Sequence, residues 1–394
     1  MKLIETLKKL HWSQLLMVVC GTCFLFMSVI YVSKQVFFGD DGLYKTEGIA
    51  NVKKYRGFFD PSIEFDDTGK EGYLAFTVLG PNPLEPSNPH SHIAVAKELR
   101  GGKNPWVRTT LAYEGNHGEL ASSTSNDAVA KGMWRFEMPS LVYDPDDKSG
   151  QWKLFAYRYF WNKDIKLARK YGVIAMKKSN NPEKSWAKDD WTFGGSLQSP
   201  PAPYSSLVRI KVNQLHKDLA DVAYVADPGA FELEGYLFLA MNAYTKDQPL
   251  HANRIIMLVS ADHGTTWQYG GVLLNRDDIQ KLGEYTVMGA PALIEYGKEM
   301  ALLVSLGNQE VNAQGAFVLP IANIVKAALR RDEDGAPIVH KYIPVESEAK
   351  SRLGGGQADF HEAYHKGTIL MSEQIVIPRG TQFVIHNTGV DPRK

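Results

Sequence analysis

Asp60-Pro61-Ser62-Ile63 returns in altered form as Met138-Pro139-Ser140-Leu141, Asp227-Pro228-Gly229-Ala230 and Ala290-Pro291-Ala292-Leu293. A polar turn and an apolar run follow each copy: GYLAFTV from Gly72, WKLFAY from Trp152, GYLFLAM from Gly235 and MALLVS from Met300. A fifth copy without the proline runs from Gln357-Ala358-Asp359-Phe360 into TILMS at Thr368. Recurrence at a long period is the mark of a repeated supersecondary unit. The prolines stand 78, 89 and 63 residues apart, room for four strands and their loops. The pattern therefore predicts an all-β fold, a five-bladed β-propeller with blades beginning near Phe58, Phe136, Ala226, Gly289 and Gln357. Each phrase would enter an innermost strand, where proline costs little because that strand is a sheet edge. A two-sheet sandwich would not require the recurrence.

Outward from these phrases, the chain past residue 50 reads as short aromatic and β-branched runs broken by Gly, Pro, Asn and Asp. One stretch departs from this, Ile321 to Arg331 (IANIVKAALRR), whose spacing predicts a short helix. Towards the N-terminus, Trp12 to Ser33 is an uncharged run of 22 residues, enough for a helix of roughly 33 Å. No small-residue cleavage site follows it, which favours an uncleaved signal anchor over a signal peptide. Lys2, Lys8 and Lys9 precede the run while Asp40 and Asp41 follow, so the positive-inside rule puts the N-terminus in the cytoplasm. The expected organisation is a cytoplasmic tail (1–11), one transmembrane helix (12–33), a linker (34–54) and a periplasmic or extracellular propeller (55–394).

Composition narrows function. Lys plus Arg and Asp plus Glu both number 44, for zero net charge, which argues against an electrostatic nucleic-acid binder. Both cysteines, Cys20 and Cys23, fall in the apolar run. The folded body thus has no disulfide, zinc-thiolate site or thiol nucleophile. His361, Glu362 and His365 would need a helix to converge on a metal, yet Lys366-Gly367 reads as a turn; neither metal nor cofactor is expected.

Ser260-Ala261-Asp262-His263-Gly264-Thr265-Thr266-Trp267 matches S-x-D-x-G-x-T-W, the Asp-box of sialidase-like propellers. Its physics is that of a hairpin turn: Asp and Ser satisfy backbone groups, Gly takes positive φ and Trp packs between blades. A degenerate relative is SNNPEKSWAKDDW from Ser179.

The D-P-[SG] phrases, each leading into an aromatic-rich strand, resemble the five-bladed glycoside hydrolases. The likeness is to family 43 arabinosidases and xylosidases and, more distantly, invertase-like family 32, over about residues 55 to 390. It implies one carboxylate from each of the first three blades in a central funnel, and the matching positions are Asp60, Glu137 and Asp227. The order departs from the family's Asp, Asp, Glu. Glu137 also stands one residue ahead of its phrase, which on a strand turns a side chain to the other face unless a bulge intervenes. Glycoside hydrolysis needs one protonated and one ionised carboxyl. The expected roles are Asp60 as base or nucleophile kept ionised by Arg56, Glu137 as acid and Asp227 as orienting group. Arg56, His92, Trp134, Arg158, His361 and Glu362 are the expected contacts to a carbohydrate substrate. Two other readings remain open: a non-catalytic propeller binding glycan or an envelope protein, and a sialidase-like hydrolase drawing on Arg56, Arg135, Arg158, Arg209 and Arg254.

Overall fold

The computed structural model describes residues 49–51, 57–82, 84, 89–99, 105–121, 129–162, 166–187, 191–198, 208–248, 251–308, 314–345, 357–377 and 380–394. The predicted tail and transmembrane segment lie outside these residues, as do most of the linker and Arg56. Among the described residues no helix is long and apolar enough to cross a membrane.

Five separate sheets follow one another along the chain. Blade 1 contains β1 (Ile49–Ala50), β2 (Phe58–Phe65), β3 (Gly72–Gly80), β4 (His90–Glu98) and β5 (Trp106–Tyr113). Blade 2 contains β6 (Asn116–Ala121), the long β7 (Val129–Tyr143), β8 (Trp152–Asn162), β9 (Lys166–Ser179), β10 (Trp191–Gly194) and β11 (Val208–Lys211). Blade 3 is β12 (Val222–Leu233), β13 (Tyr236–Thr245), β14 (Arg254–Ser260) and β15 (Gln268–Asn275). Blade 4 is β16 (Val287–Tyr296), β17 (Glu299–Gly307), β18 (Gly315–Asn323), β19 (Ala328–Leu329) and β20 (Lys341–Pro344), and blade 5 is β21 (Ala358–Asp359), β22 (Leu370–Ile377) and β23 (Gly380–Asn387). The five recurring phrases thus open five blades. Ile49–Ala50, placed by sequence in the linker, instead adds a short strand parallel to β5.

A blade is covered on both faces, so its middle strands are apolar at nearly every position, and successive side chains go to opposite neighbours. In β13, Leu237, Leu239 and Met241 pack towards blade 2, with Phe155, Ile174 and Phe193. Phe238 and Ala240 pack towards blade 4, with Leu302, Val304 and Phe317. Comparable clusters join blades 1 and 2, 4 and 5, and 5 and 1.

The phrase itself is a β-bulge. Asp60, Met138, Asp227 and Ala290, each directly before the proline or its counterpart, have φ of 56°, 56°, 53° and 51°. Pairing with the second strand shifts at the same places. A left-handed conformation in a residue with a Cβ costs on the order of 1–3 kcal/mol, so the neighbouring blades must hold it. They do so through side chains: Ser62 Oγ accepts the Leu141 amide at 2.9 Å, Ser140 Oγ accepts the Ala230 amide at 2.7 Å and Asp359 Oδ2 accepts the Ile63 amide at 3.0 Å. At Gly229, the counterpart of these residues in blade 3, a Cβ would collide with the Pro291 carbonyl.

Two local expectations meet different outcomes. Ile321 to Arg331 is not a helix: β18 runs to Asn323, the chain turns, and Leu329 of β19 pairs back with Ile321. Ile321, Ala327 and Leu329 are buried between blades 3 and 4, and that pairing overrides the local helical spacing. The α-helix among the described residues is instead α1 (Arg276–Leu282), started by a capping box in which Asn275 and Asp278 satisfy each other's amides. The turn Ser260–Trp267 joins β14 to β15 on the outer side of blade 3. Asp262 accepts from the Thr265 and Thr266 amides at 3.1 and 2.8 Å and from the Thr266 hydroxyl at 2.7 Å, and Gly264 has φ of 84°. Asp262→Ala is expected to cost about 1–3 kcal/mol through the donors it strands. Denaturant unfolding checks this, with activity of the remaining folded protein unchanged.

Candidate active site

The five inner strands enter from one end of the axis, so a residue's place after the bulge sets its depth. Asp60, Glu137 and Asp227 stand at the entry. Below them the axis narrows to a small space lined by Pro61, Ser62, Pro139, Ser140, Pro228 and Pro291.

Asp60 is 4% exposed. Its Oδ2 accepts from Thr77 Oγ1 at 2.9 Å and from the Met138 amide at 3.2 Å, a contact that crosses from blade 1 to blade 2. Burial raises its pKa well above the ordinary carboxyl value, and the charges of Glu137 and Asp227 add to that against the two donors. These surroundings work against the ionised Asp60 expected from sequence and favour its protonated form, and both donors fall on Oδ2.

Glu137 is half-buried and returns to the site because of the bulge between it and Ser140. Its Oε1 accepts from the Tyr159 hydroxyl at 2.8 Å and from Ser91 Oγ at 3.2 Å. Burial, with the Glu137 charge, raises the Tyr159 pKa well above 10, so this phenol is a neutral donor. Arg135 hydrogen-bonds to the same phenol, and its guanidinium lies 4.8 Å from the Trp161 ring centroid. Half-buried Asp227 accepts from Asn242 Nδ2 at 2.5 Å and faces Gly289 of blade 4.

Thr77, Ser91 and Asn242 were missed by sequence reasoning. Thr77 and Asn242 occupy one register position of the second strand, beside the bulge in their own blades. Only the cross-strand register reveals that.

The expected substrate contacts divide. His92 is at the acid end and its Nδ1 accepts the Gly115 amide at 3.0 Å. Trp134 and Arg158 lie at that end but are 7% and 3% exposed, with the Arg158 guanidinium 5.9 Å from the Trp134 ring centroid. They are framework groups, because the long β7–β8 hairpin folds them between blades. His361 and Glu362 are corrected more strongly: they follow the phrase of blade 5 and line a cavity at the opposite end of the axis. His361 Nε2 is 3.0 Å from Glu64 Oε1, and His365 pairs instead with Glu98. Arg56 lies outside the described residues. Of the other arginines, Arg254 pairs with Asp221, Arg209 sits on the outermost strand of blade 2, and Arg135 reaches the Tyr159 phenol that donates to Glu137.

Asp359, deeper in the axis, is 7% exposed and burial lifts its pKa to about 7. A raised carboxyl pKa stabilises the fold below the unfolded value and progressively destabilises it as pH climbs from about 4 to about 7. Asp359→Asn is expected to flatten the fall in stability over that window. Melting temperatures from pH 4 to 7 test this, and a slope equal to wild type refutes it.

No protein-family profile matches the chain, and no curated protein matches it. Solved structures do. It is similar to a GH43 endo-arabinanase from Bacillus licheniformis at 12% identity, over 88% of this chain and 96% of that one, with a TM-score of 0.48. It is similar to an α-L-arabinofuranosidase from Lactobacillus brevis at 13% identity, over 88% and 94%, with a TM-score of 0.48. A family 117 glycoside hydrolase from Zobellia galactanivorans gives 11% identity over 87% and 88%, with a TM-score of 0.48. At such identities the likeness concerns chain path alone.

Proposed function

We propose that this chain is a glycoside hydrolase, anchored by residues 12–33 with its propeller outside the cytoplasm. One observation supports the reading above the rest: three consecutive blades bring carboxyl groups to one end of the axis, one buried where its pKa is raised, two half-buried beside it. Neighbouring acids with divergent environments are what acid–base cleavage of a glycosidic bond requires. Asp60 gives its proton to the leaving oxygen. Glu137, aligned by Tyr159 and Ser91, activates water or attacks the anomeric carbon, and Asp227, oriented by Asn242, stabilises the positive charge that develops on the sugar.

A non-catalytic glycan-binding propeller is the second reading, favoured by the cap that Asp60 places on the Met138 amide. The sialidase-like reading gains a Tyr159–Glu137 pair, but a buried phenol with a raised pKa makes a poor nucleophile. Turnover of a panel of aryl glycosides and oligosaccharides by the full-length protein, with Asp60→Asn and Glu137→Gln beside it, is the test. Retained glycan binding with no turnover of any substrate would replace the hydrolase with the binder.

A further inference from the structure

The end of the axis away from Asp60 opens into a cavity of about 560 Å³, within the range of small-ligand sites. Residues beyond the axial phrase of all five blades line it, among them Ile63, Leu141, Ala230, Leu293 and Phe360. The first level is apolar: Ile63, Leu141, Leu293 and Phe360 are buried and form the floor. Two residues further on, Tyr143, Glu232, Glu295 and Glu362 form the wall. Floor and wall thus come from different blades at matching positions, and the chain builds an apolar base ringed by carboxylates.

Among the described residues no Lys, Arg or His is in ion-pair distance of Glu232, Glu295 or Glu362; His361 is taken by Glu64, and His361 and Arg393 act on Glu295 and Glu362 only through charge at longer range. Burial raises the pKa of Glu232 and of Glu295, with the Glu362 charge adding to the latter, so both gain from a bound cation. The cavity also shows how a cation sits there. Arg393 of this chain reaches its edge, with the guanidinium 5.8 Å from the Phe360 ring centroid, the geometry of a cation–π contact. A divalent metal needs several oxygens converging within about 2–2.6 Å, and among the described residues no cluster is placed to hold one.

We infer that this cavity binds an amphipathic organic cation, an alkylammonium or alkylguanidinium, its aliphatic part on the floor and its charge among Glu232, Glu295 and Glu362. Calorimetric titration of the full-length protein with agmatine and with cadaverine tests it, a neutral diol of equal length serving as control. Saturable binding of the amines and none of the diol is expected. The Glu232→Gln/Glu295→Gln double variant should bind at least about tenfold more weakly with its melting temperature retained. Asp60→Asn should bind as wild type does, because Asp60 is not among the residues lining this cavity, so the result is independent of the hydrolase reading. No saturable binding at millimolar amine, equal affinity of the double variant, or tighter binding of calcium at the same residues would overturn the inference.

Discussion

Asp60→Asn is expected to lower kcat by about two to four orders of magnitude on a glycoside with a poor leaving group, and far less on an aryl glycoside whose phenol departs without a proton. The asymmetry follows from the site. Asparagine keeps an acceptor for the Met138 amide and the Thr77 hydroxyl, so the fold is retained, but it has no proton to give. Glu137→Gln removes the group that activates water or attacks carbon, and its loss should be similar across leaving groups. Melting temperature recorded beside turnover separates chemistry from folding: a variant that melts early while the folded fraction keeps full activity would make Asp60 a cap and nothing more. The pH profile gives a second readout. Wild-type activity should persist up to the raised pKa of Asp60 and fall above it, and an activity limb at the ordinary carboxyl value would contradict the protonated assignment.

Lys153→Met is expected to destabilise the propeller by about 3–5 kcal/mol, the range for removing one partner of a buried ion pair. Lys153 is fully buried, with Nζ 2.6 Å from Asp144 Oδ2 and 3.1 Å from Asp147 Oδ2. Asp144 also meets His263 Nδ1 at 3.0 Å, and Lys178, 2.7 Å from Asp147, donates to the His263 carbonyl. The network therefore bolts blade 2 to the outer turn of blade 3. Burial alone would raise the pKa of Asp144 and Asp147, yet hydrogen bonds and charge from Lys153, Lys178 and His263 hold both below the ordinary value. Carboxyls depressed in this way contribute stability above the unfolded pKa near 4 and lose it as pH falls through the lower folded values. Methionine should thus cost most at neutral pH and least near pH 3, where a protonated Asp144 is cheap to bury. Urea midpoints at both pH values measure this, and equal losses would mean that Lys153 acts by packing alone.

The sequence by itself determined the repeat. A phrase that recurs with an apolar strand behind it states how many blades there are and where each begins, because every blade meets the same requirement at the axis. The turn closed by Asp262 was legible for a similar reason, since all its hydrogen bonds lie within eight residues. Which acids share one place was half legible: Asp60 and Asp227 by alignment, Glu137 only with the bulge known. What the tertiary structure decided is everything that depends on facing. Trp134 and Arg158 look like exposed sugar contacts until the β7–β8 hairpin buries them, and His361 and Glu362 follow a phrase that should lead to the acids yet emerge at the far end of the axis. Strand side chains alternate over a single residue and each bulge resets the count, so orientation follows from pairing across blades hundreds of residues apart. The raised pKa of Asp60 has the same origin, for burial and two acids from other blades push it up.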